Sequence, residues 1–176
     1  MKKTLFTLTA ILIGFTSCDS VDDLKTKDFN DIELSSQTLI TVSAPENQSV
    51  KMDEDYSFTK EINLDFNDIS ELKDYLNKLE DVDVNSVTCK LTNVTGGEVI
   101  SLQLSVPDLN YEVEIPSVAP NQDLSVNFTT EQLNAISNEL FQYKKLKILI
   151  SGTVSDRPLS FTIETTALLD VEVEIL

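Results

Sequence analysis

The C-terminal residues 159–175, LSFTIETTALLDVEVEI, carry the clearest structural pattern in the chain. Every second residue from Leu159 to Ile175 is apolar or small, and most of the residues between them are polar or acidic. This alternation predicts a β-strand with one buried face. The 17 residues would extend roughly 56 Å at about 3.3 Å per residue. That length exceeds a small sandwich, so we expect a bend or bulge near residues 165–168.

Shorter runs with the same alternation fill much of the chain before this stretch. The prolines lie outside the proposed strand interiors, where a missing N–H donor does least harm. Residues 95–97, Thr-Gly-Gly, are typical of a hairpin loop, and residues 155–158 are typical of a turn. The apolar residues that share a face in each run are Phe58, Ile62, Leu64 and Phe66; Val87, Cys89 and Leu91; Ile100, Leu102, Leu104 and Val106; Tyr111, Val113 and Ile115; Leu124, Val126 and Phe128; and Leu146, Ile148 and Ile150.

Two stretches instead have apolar residues three and four positions apart, the spacing of an amphipathic helix. Each follows a capping-box pattern and should pack its apolar stripe over the β core. The sequence therefore predicts a mainly β fold, an antiparallel β-sandwich of about seven to nine strands, immunoglobulin-like in general architecture, with two short helices. The residues of the two helical patterns are Ile69, Leu72, Leu76 and Leu79 behind Asp68 and Glu71, and Leu133, Ile136, Leu140 and Phe141 behind Thr129 and Gln132.

The N-terminus has the pattern of an export signal. Lys2 and Lys3 precede a mainly apolar stretch over residues 5–15, and small residues follow before Cys18. The apolar stretch is shorter than the roughly 20 residues that a membrane-spanning helix needs. We therefore expect residues 1–17 to be a leader that is removed after export.

Residues 15–18, Phe-Thr-Ser-Cys, resemble the lipobox of bacterial lipoproteins, although Phe15 stands where Leu, Val or Ile is usual. The resemblance implies cleavage between Ser17 and Cys18 and attachment of diacylglycerol and palmitate-type acyl chains to Cys18, which anchors the chain to the bilayer. The alternative is an ordinary secreted protein in which Cys18 is a plain thiol. The acidic residues after Cys18 resemble a surface-export signal of Bacteroidota lipoproteins, whereas in enterobacteria Asp19 implies inner-membrane retention. We expect an outer-membrane anchor with the domain facing the periplasm or the cell surface.

Residues 18–36 are polar and acidic with little periodicity, which favours a lipidated flexible tether. We expect one folded domain over residues 37–176. Residues 151–156, SGTVSD, leading into residues 159–163, LSFTI, resemble small uncharacterised lipoproteins of Bacteroidota, a resemblance that implies no activity.

The composition excludes several functions. Loss of Lys2 and Lys3 with the leader leaves 11 Lys and Arg against 30 Asp and Glu, so the formal net charge falls from −17 to −19. Such a chain repels nucleic-acid phosphates. The chain has no histidine, which excludes Ser-His-Asp and Cys-His nucleophiles and His-based zinc sites. No phosphate-binding glycine loop is present, and we expect no cofactor.

The candidate sites that remain are weak. Asp81, Asp83 and Asn85 have the spacing that opens an EF-hand calcium loop, but Ser86 and Thr92 replace the glycine and glutamate that such a loop needs. The acid pairs at 112/114 and 172/174 alternate with core residues, so we expect them to face solvent rather than form a catalytic dyad. Cys89 lies on an apolar alternation and is expected in the core.

These patterns favour an envelope lipoprotein that acts as a non-catalytic binding or structural module, with an envelope protein or glycan as partner. The alternative is a carboxylate- or calcium-dependent hydrolase, for example one that acts on glycans. No catalytic residue is assigned, and we do not expect an enzyme.

Overall fold

The computed structural model describes residues 25–43, 56–115, 118, 120–121, 123–155 and 158–175. These residues are mainly β, as predicted from the sequence, and they include one α-helix, α1 (Thr130–Tyr143), and two short 3₁₀ turns, Phe66–Asp68 and Pro107–Leu109. The strands are β1 (Thr26–Val42), β2 (Tyr56–Asp65), β3 (Leu79–Thr95), β4 (Val99–Val106), β5 (Tyr111–Ile115), β6 (Asp123–Ser125), β7 (Lys145–Val154) and β8 (Leu159–Glu174).

The strands form two antiparallel four-stranded sheets, with orders β1-β8-β3-β6 and β2-β7-β4-β5. The pairing is nested: β1 pairs with β8, β2 with β7, β3 with β6 and β4 with β5. This is the strand order of a jelly roll, a two-sheet Greek-key fold. The immunoglobulin-like part of the prediction is not confirmed, because the first two immunoglobulin strands share a sheet, whereas β1 and β2 lie in different sheets.

A single hydrophobic core contains buried residues from both sheets. The alternation in β8 is confirmed, since every second position from Leu159 to Val173 is buried, including the small residue Thr165. Cys89 of β3 is buried beside it, with its Sγ atom 3.6 Å from the Oγ1 atom of Thr165. The core position predicted for Cys89 is therefore confirmed.

The register irregularities expected in β8 lie instead in its two neighbours. The β1 ladder shifts between Phe29 and Ile32, and the β3 ladder shifts at Asn85. The two shifts meet at Asp170 of β8, which accepts hydrogen bonds of 2.9 Å from the side chain of Asn85 and from the backbone N–H of Asp31. These donors, with Asn85 first, lower the pKa of the Asp170 carboxyl below its ordinary value. Bulges of this kind increase the local twist.

The helix predicted behind Thr129 is confirmed as α1. Thr129 caps it through the capping box with Gln132, in which each side chain bonds the other residue's backbone N–H. On the buried side, the Ser137 hydroxyl accepts the backbone N–H of Val84 at 2.9 Å and donates to the carbonyl of Leu133. These bonds tie α1 to β3.

The other predicted helix, over residues 68–79, is wrong. A 3₁₀ turn is followed by a chain of turns in which Ile69, Leu72, Tyr75 and Lys78 each donate a backbone N–H to the carbonyl three residues earlier. The buried apolar residues recur every third position here, which matches the three-residue turn of 3₁₀ geometry better than the 3.6-residue turn of an α-helix.

The predicted tether is also wrong for residues 26–36, which form the first part of β1 and pair with β8. The β1 bulge explains why the sequence hides this strand: the inward side chains are Phe29, Ile32 and Leu34, so the extra residue breaks the period of two. Leu34 is buried in the core. The leader, Ser17 and Cys18 lie outside the described residues.

Candidate functional site

A groove of about 510 Å³ lies on the outer face of the β2-β7-β4-β5 sheet. One row of polar side chains crosses all four strands there, because Thr59 pairs with Ser151, Ser151 with Gln103, and Gln103 with Glu114. A second row is parallel to it, in which Thr153 pairs with both Ser57 and Ser101. We call this surface the hydroxyl groove; its polar lining residues are Ser57, Thr59, Ser101, Gln103, Glu114, Ser151 and Thr153.

Small side chains and a bulge give the groove its shape. Serine and threonine at alternate positions of β2, β4 and β7 keep the floor low. At the edge, Ile100 occupies a register shift between Val99 and Ser101 and is 48 % exposed. Ile100 and Val118 line one side of the groove and provide apolar contact area next to the hydroxyl groups.

Gly152 allows the sheet to pack closely beneath the groove. A Cβ atom at this position would lie 2.1 Å from the carbonyl oxygen of Ser101 and 2.9 Å from Cζ of Phe58. The Phe58 ring is itself fixed by an edge contact with Phe161, at 5.3 Å between ring centroids. Glycine therefore lets the β4 backbone and an aromatic ring occupy the space of a side chain.

The polar groups of the groove retain unused hydrogen-bonding capacity. The hydroxyl oxygens of Ser101 and Thr153 are 2.8 Å apart, and the Ser151 hydroxyl donates to Oε1 of Gln103 at 3.3 Å. Each hydroxyl has one donor and two lone pairs, so both bonds leave acceptor sites open. Thr59 has no side-chain hydrogen bond to another described residue. The groove can thus both donate to and accept from a ligand.

Charge is sparse in the groove. Among the described residues that line it, only Glu114 carries a charge, although the whole chain has a formal net charge of −17. Glu112 is the next residue on the same face of β5, and its Oε2 atom lies 3.5 Å from Nε2 of Gln103. The groove is therefore neutral over most of its length and weakly acidic at the β5 edge.

No family model, curated protein or solved structure matches this chain. We therefore assign a site from the chemistry of the described residues. Within those residues, no helix is long and apolar enough to cross a membrane.

The weak calcium candidate Asp81, Asp83 and Asn85 lies within strand β3. There Asp81 accepts the backbone N–H of Val82 and Asn85 donates to Asp170. Nowhere in the described part of the chain are three or more His, Cys, Asp or Glu side chains grouped to hold a metal ion. The extended geometry of these residues differs from that of an EF-hand loop, as the departures at Ser86 and Thr92 indicate.

The acid pairs lie at alternate positions on the outer faces of the sheets, as the sequence predicts. Glu112 and Glu114 are exposed on β5, while on β8 Glu172 lies between the buried Val171 and Val173 and Glu174 follows Val173. Of these four, only Glu114 lines the hydroxyl groove. A pair of carboxylates that flanks one bond, as glycoside hydrolysis requires, is not formed by these residues in the groove.

Burial raises the pKa of the Cys89 thiol to about 11, an effect that the contact with Thr165 reduces in part. The thiolate is the reactive form of cysteine. Because the folded protein keeps Cys89 protonated near neutral pH and shields it from solvent, the side chain serves the core rather than a reaction.

A second, open depression of about 590 Å³ lies toward the other end of the same sheet face. Lys145, Lys147 and the exposed Tyr143 line it with acidic neighbours. The Nζ atom of Lys147 lies 3.5 Å from Oδ1 of Asp108, so part of the positive charge is already compensated.

Sequence reasoning identified the strands of the hydroxyl groove but not the groove itself. The signal was present: Ser57 and Thr59, Ser101 and Gln103, and Ser151 and Thr153 are small or neutral polar pairs spaced two apart. Only the strand pairing shows that these pairs come together in adjacent rows.

Proposed function

We propose that this chain is a lipid-anchored envelope protein whose domain acts as a non-catalytic binding module. The hydroxyl groove is its binding surface, and Cys18 is its point of attachment to the outer membrane. The domain faces the periplasm or the cell surface. The observation that carries the binding role is the double row of polar side chains across the outer sheet face.

The leader and the lipobox-like residues 15–18 support the anchor. Two or more acyl chains on one cysteine hold a protein stably on a bilayer. The contact of Lys25 adds a constraint, since its carbonyl accepts the backbone N–H of Ile175, next to the C-terminal strand, at 2.7 Å. Six residues lie between Cys18 and Lys25, a reach of at most about 25 Å from one to the other.

The groove supports binding rather than catalysis. Its side chains are hydroxyl, amide and carboxylate groups, and hydrogen bonds between Ser101 and Thr153 and between Ser151 and Gln103 hold them in place across strands. Side chains fixed on a sheet form a preorganised surface that loses little entropy on binding. Among the described residues that line the groove, Glu114 has no second acid or base beside it to assist hydrolysis.

The anchor is tested by fractionation of bacteria that produce the full chain. The Cys18→Ala variant should appear in the soluble fraction, because it lacks the acylated sulfur. Cys89→Ala is the matched control, since it removes the other cysteine and should remain with the membranes. Membrane association of Cys18→Ala would contradict the lipoprotein assignment.

The binding surface is tested with the Cys18→Ala chain, labelled and added to isolated envelopes. Ser151→Tyr fills the centre of the groove, whereas Thr88→Tyr places the same side chain at the centre of the outer face of the other sheet, where Thr88 pairs with Thr166. Tyrosine is well tolerated in strands. Sedimentation with envelopes should fall for Ser151→Tyr only. Equal sedimentation of the two variants would contradict the proposed surface.

A further inference from the structure

The hydrogen-bonding groups of the hydroxyl groove point to a ligand class. We infer that the groove binds an uncharged oligosaccharide segment of an envelope or extracellular polysaccharide. This inference rests on the proposed function and narrows it from binding in general to one kind of ligand.

The polar groups of the groove match those of a sugar. A sugar presents many hydroxyl groups, each of which donates and accepts, and the groove presents the same type of group from three strands. Together the hydroxyl groups of Ser101 and Thr153 have two hydrogens and four lone pairs. Their mutual hydrogen bond uses one hydrogen and one lone pair, so one hydrogen and three lone pairs remain for a ligand. Gln103 adds an amide that can still donate a second N–H. Mixed donor and acceptor demand of this kind fits neutral hydroxyl groups better than a purely anionic or cationic ligand.

The charge of the groove also restricts the ligand. Among the described residues that line it, Glu114 is charged and none is basic, and the chain as a whole is strongly acidic. A phosphate, sulfate or uronate would meet repulsion without a cation to bind it. A single exposed carboxylate is also a poor basis for binding a cation tightly, because an exposed ion pair contributes little.

The shape of the groove suits a segment of a chain rather than an enclosed small molecule. The row from Thr59 to Glu114 crosses four strands, three spacings of about 4.8 Å or about 14 Å in all. It runs from one edge strand of the sheet, β2, to the other, β5. Ile100 and Val118 supply the apolar contact that the C–H face of a sugar ring requires in the absence of tryptophan.

The position of the groove is consistent with binding of a polymer that lies away from the membrane to which the chain is anchored. Ser57 and Thr153 lie near the start of β2 and the end of β7. β7 continues within a few residues into the start of β8, which pairs with the end of β1. The groove is thus at the end of the domain away from Lys25, the residue that follows the anchor segment.

The experiment is affinity electrophoresis of the Cys18→Ala mature chain in native gels that contain one polymer each. The neutral polymers are mannan, xylan, a mixed-linkage glucan and dextran; polygalacturonate is the anionic polymer, and polylysine is the cationic one. Retardation by at least one neutral polysaccharide is expected, with none by polygalacturonate. Retardation by polylysine or polygalacturonate alone, or by no polymer, would overturn the ligand class.

The side chains are tested with isosteric pairs. Thr59→Val with Thr153→Val removes two groove hydroxyls and should weaken the retained interaction by about tenfold or more. The control pair, Thr88→Val with Thr166→Val on the other sheet, should leave it unchanged. Equal effects of both pairs at equal thermal stability would refute the site.

Failure of this inference and failure of the proposed function give different results. If Ser151→Tyr reduces sedimentation with envelopes while no polysaccharide retards the chain, the groove binds and only the ligand class is wrong. If Ser151→Tyr has no effect on either assay, the binding surface is wrong.

Discussion

Replacing Gly152 with alanine should destabilise the domain through the floor of the hydroxyl groove. The new Cβ would lie 2.1 Å from the carbonyl oxygen of Ser101 and 2.9 Å from Cζ of Phe58, so the β4 backbone has to move. Overpacking typically costs about 1–3 kcal/mol, and we expect the upper end because the closest atom belongs to the backbone. A loss of about 3 kcal/mol corresponds to a fall in Tm of roughly 6–12 °C for a domain of this size.

The assay is urea and thermal unfolding of the Cys18→Ala chain with and without Gly152→Ala. Ser151→Ala is the matched control, because the neighbouring side chain points to the groove and its loss creates no clash. That control loses one hydrogen bond to Gln103 and should cost at most about 1.5 kcal/mol. A cost below about 0.5 kcal/mol for Gly152→Ala would show that β4 and β7 are not packed as described.

Three further predictions test the packing of the domain. Ser137→Ala removes the acceptor of the Val84 N–H and should lower the free energy of unfolding by about 1–3 kcal/mol, measured in urea; no loss would contradict the link between α1 and β3. Leu34→Ala should cost about 2–5 kcal/mol, because this residue is buried in β1, whereas Ser35→Ala should cost little; equal effects would restore the tether interpretation. The pKa of Cys89 is raised from 9.0 to about 11 in the fold, so the thiol stabilises the folded state fully below pH 9 and this contribution is lost as the pH rises toward 11. Relative to Cys89→Ala, the chain should lose about 2 kcal/mol over that window, and parallel pH profiles of the two chains would refute this.

The sequence predicts most closely where one local rule applies without interruption. The alternation from Leu159 onward and the capping box of Thr129 and Gln132 both correspond to observed elements, β8 and α1. In each case the local preference agrees with the tertiary packing, so period and cap are sufficient guides.

The errors occur where the chain departs from regular spacing. The bulge after Phe29 hides β1 by shifting its inward phase, and the three-residue repeat after Phe66 resembles helical spacing but forms successive tight turns. Periodicity also does not predict the strand order, because the pairing of β1 with β8 joins residues more than 100 positions apart. The hydroxyl groove depends on this pairing, so its rows could not be seen before the topology was known.

The correction to β1 changes how the proposed module is presented at the membrane. In the proposed anchored state six residues lie between Cys18 and Lys25, and β1 then carries the chain for 17 residues toward the groove end of the domain. At about 3.3 Å per residue this strand spans roughly 50 Å, about twice the greatest reach of the connecting segment. In the proposed anchored state, β1 therefore contributes more length along the chain between Cys18 and the groove than residues 19–24 can. Lengthening the segment between Cys18 and Lys25 should leave the affinity of the groove unchanged, because every described residue that lines the groove lies after β1 in the chain.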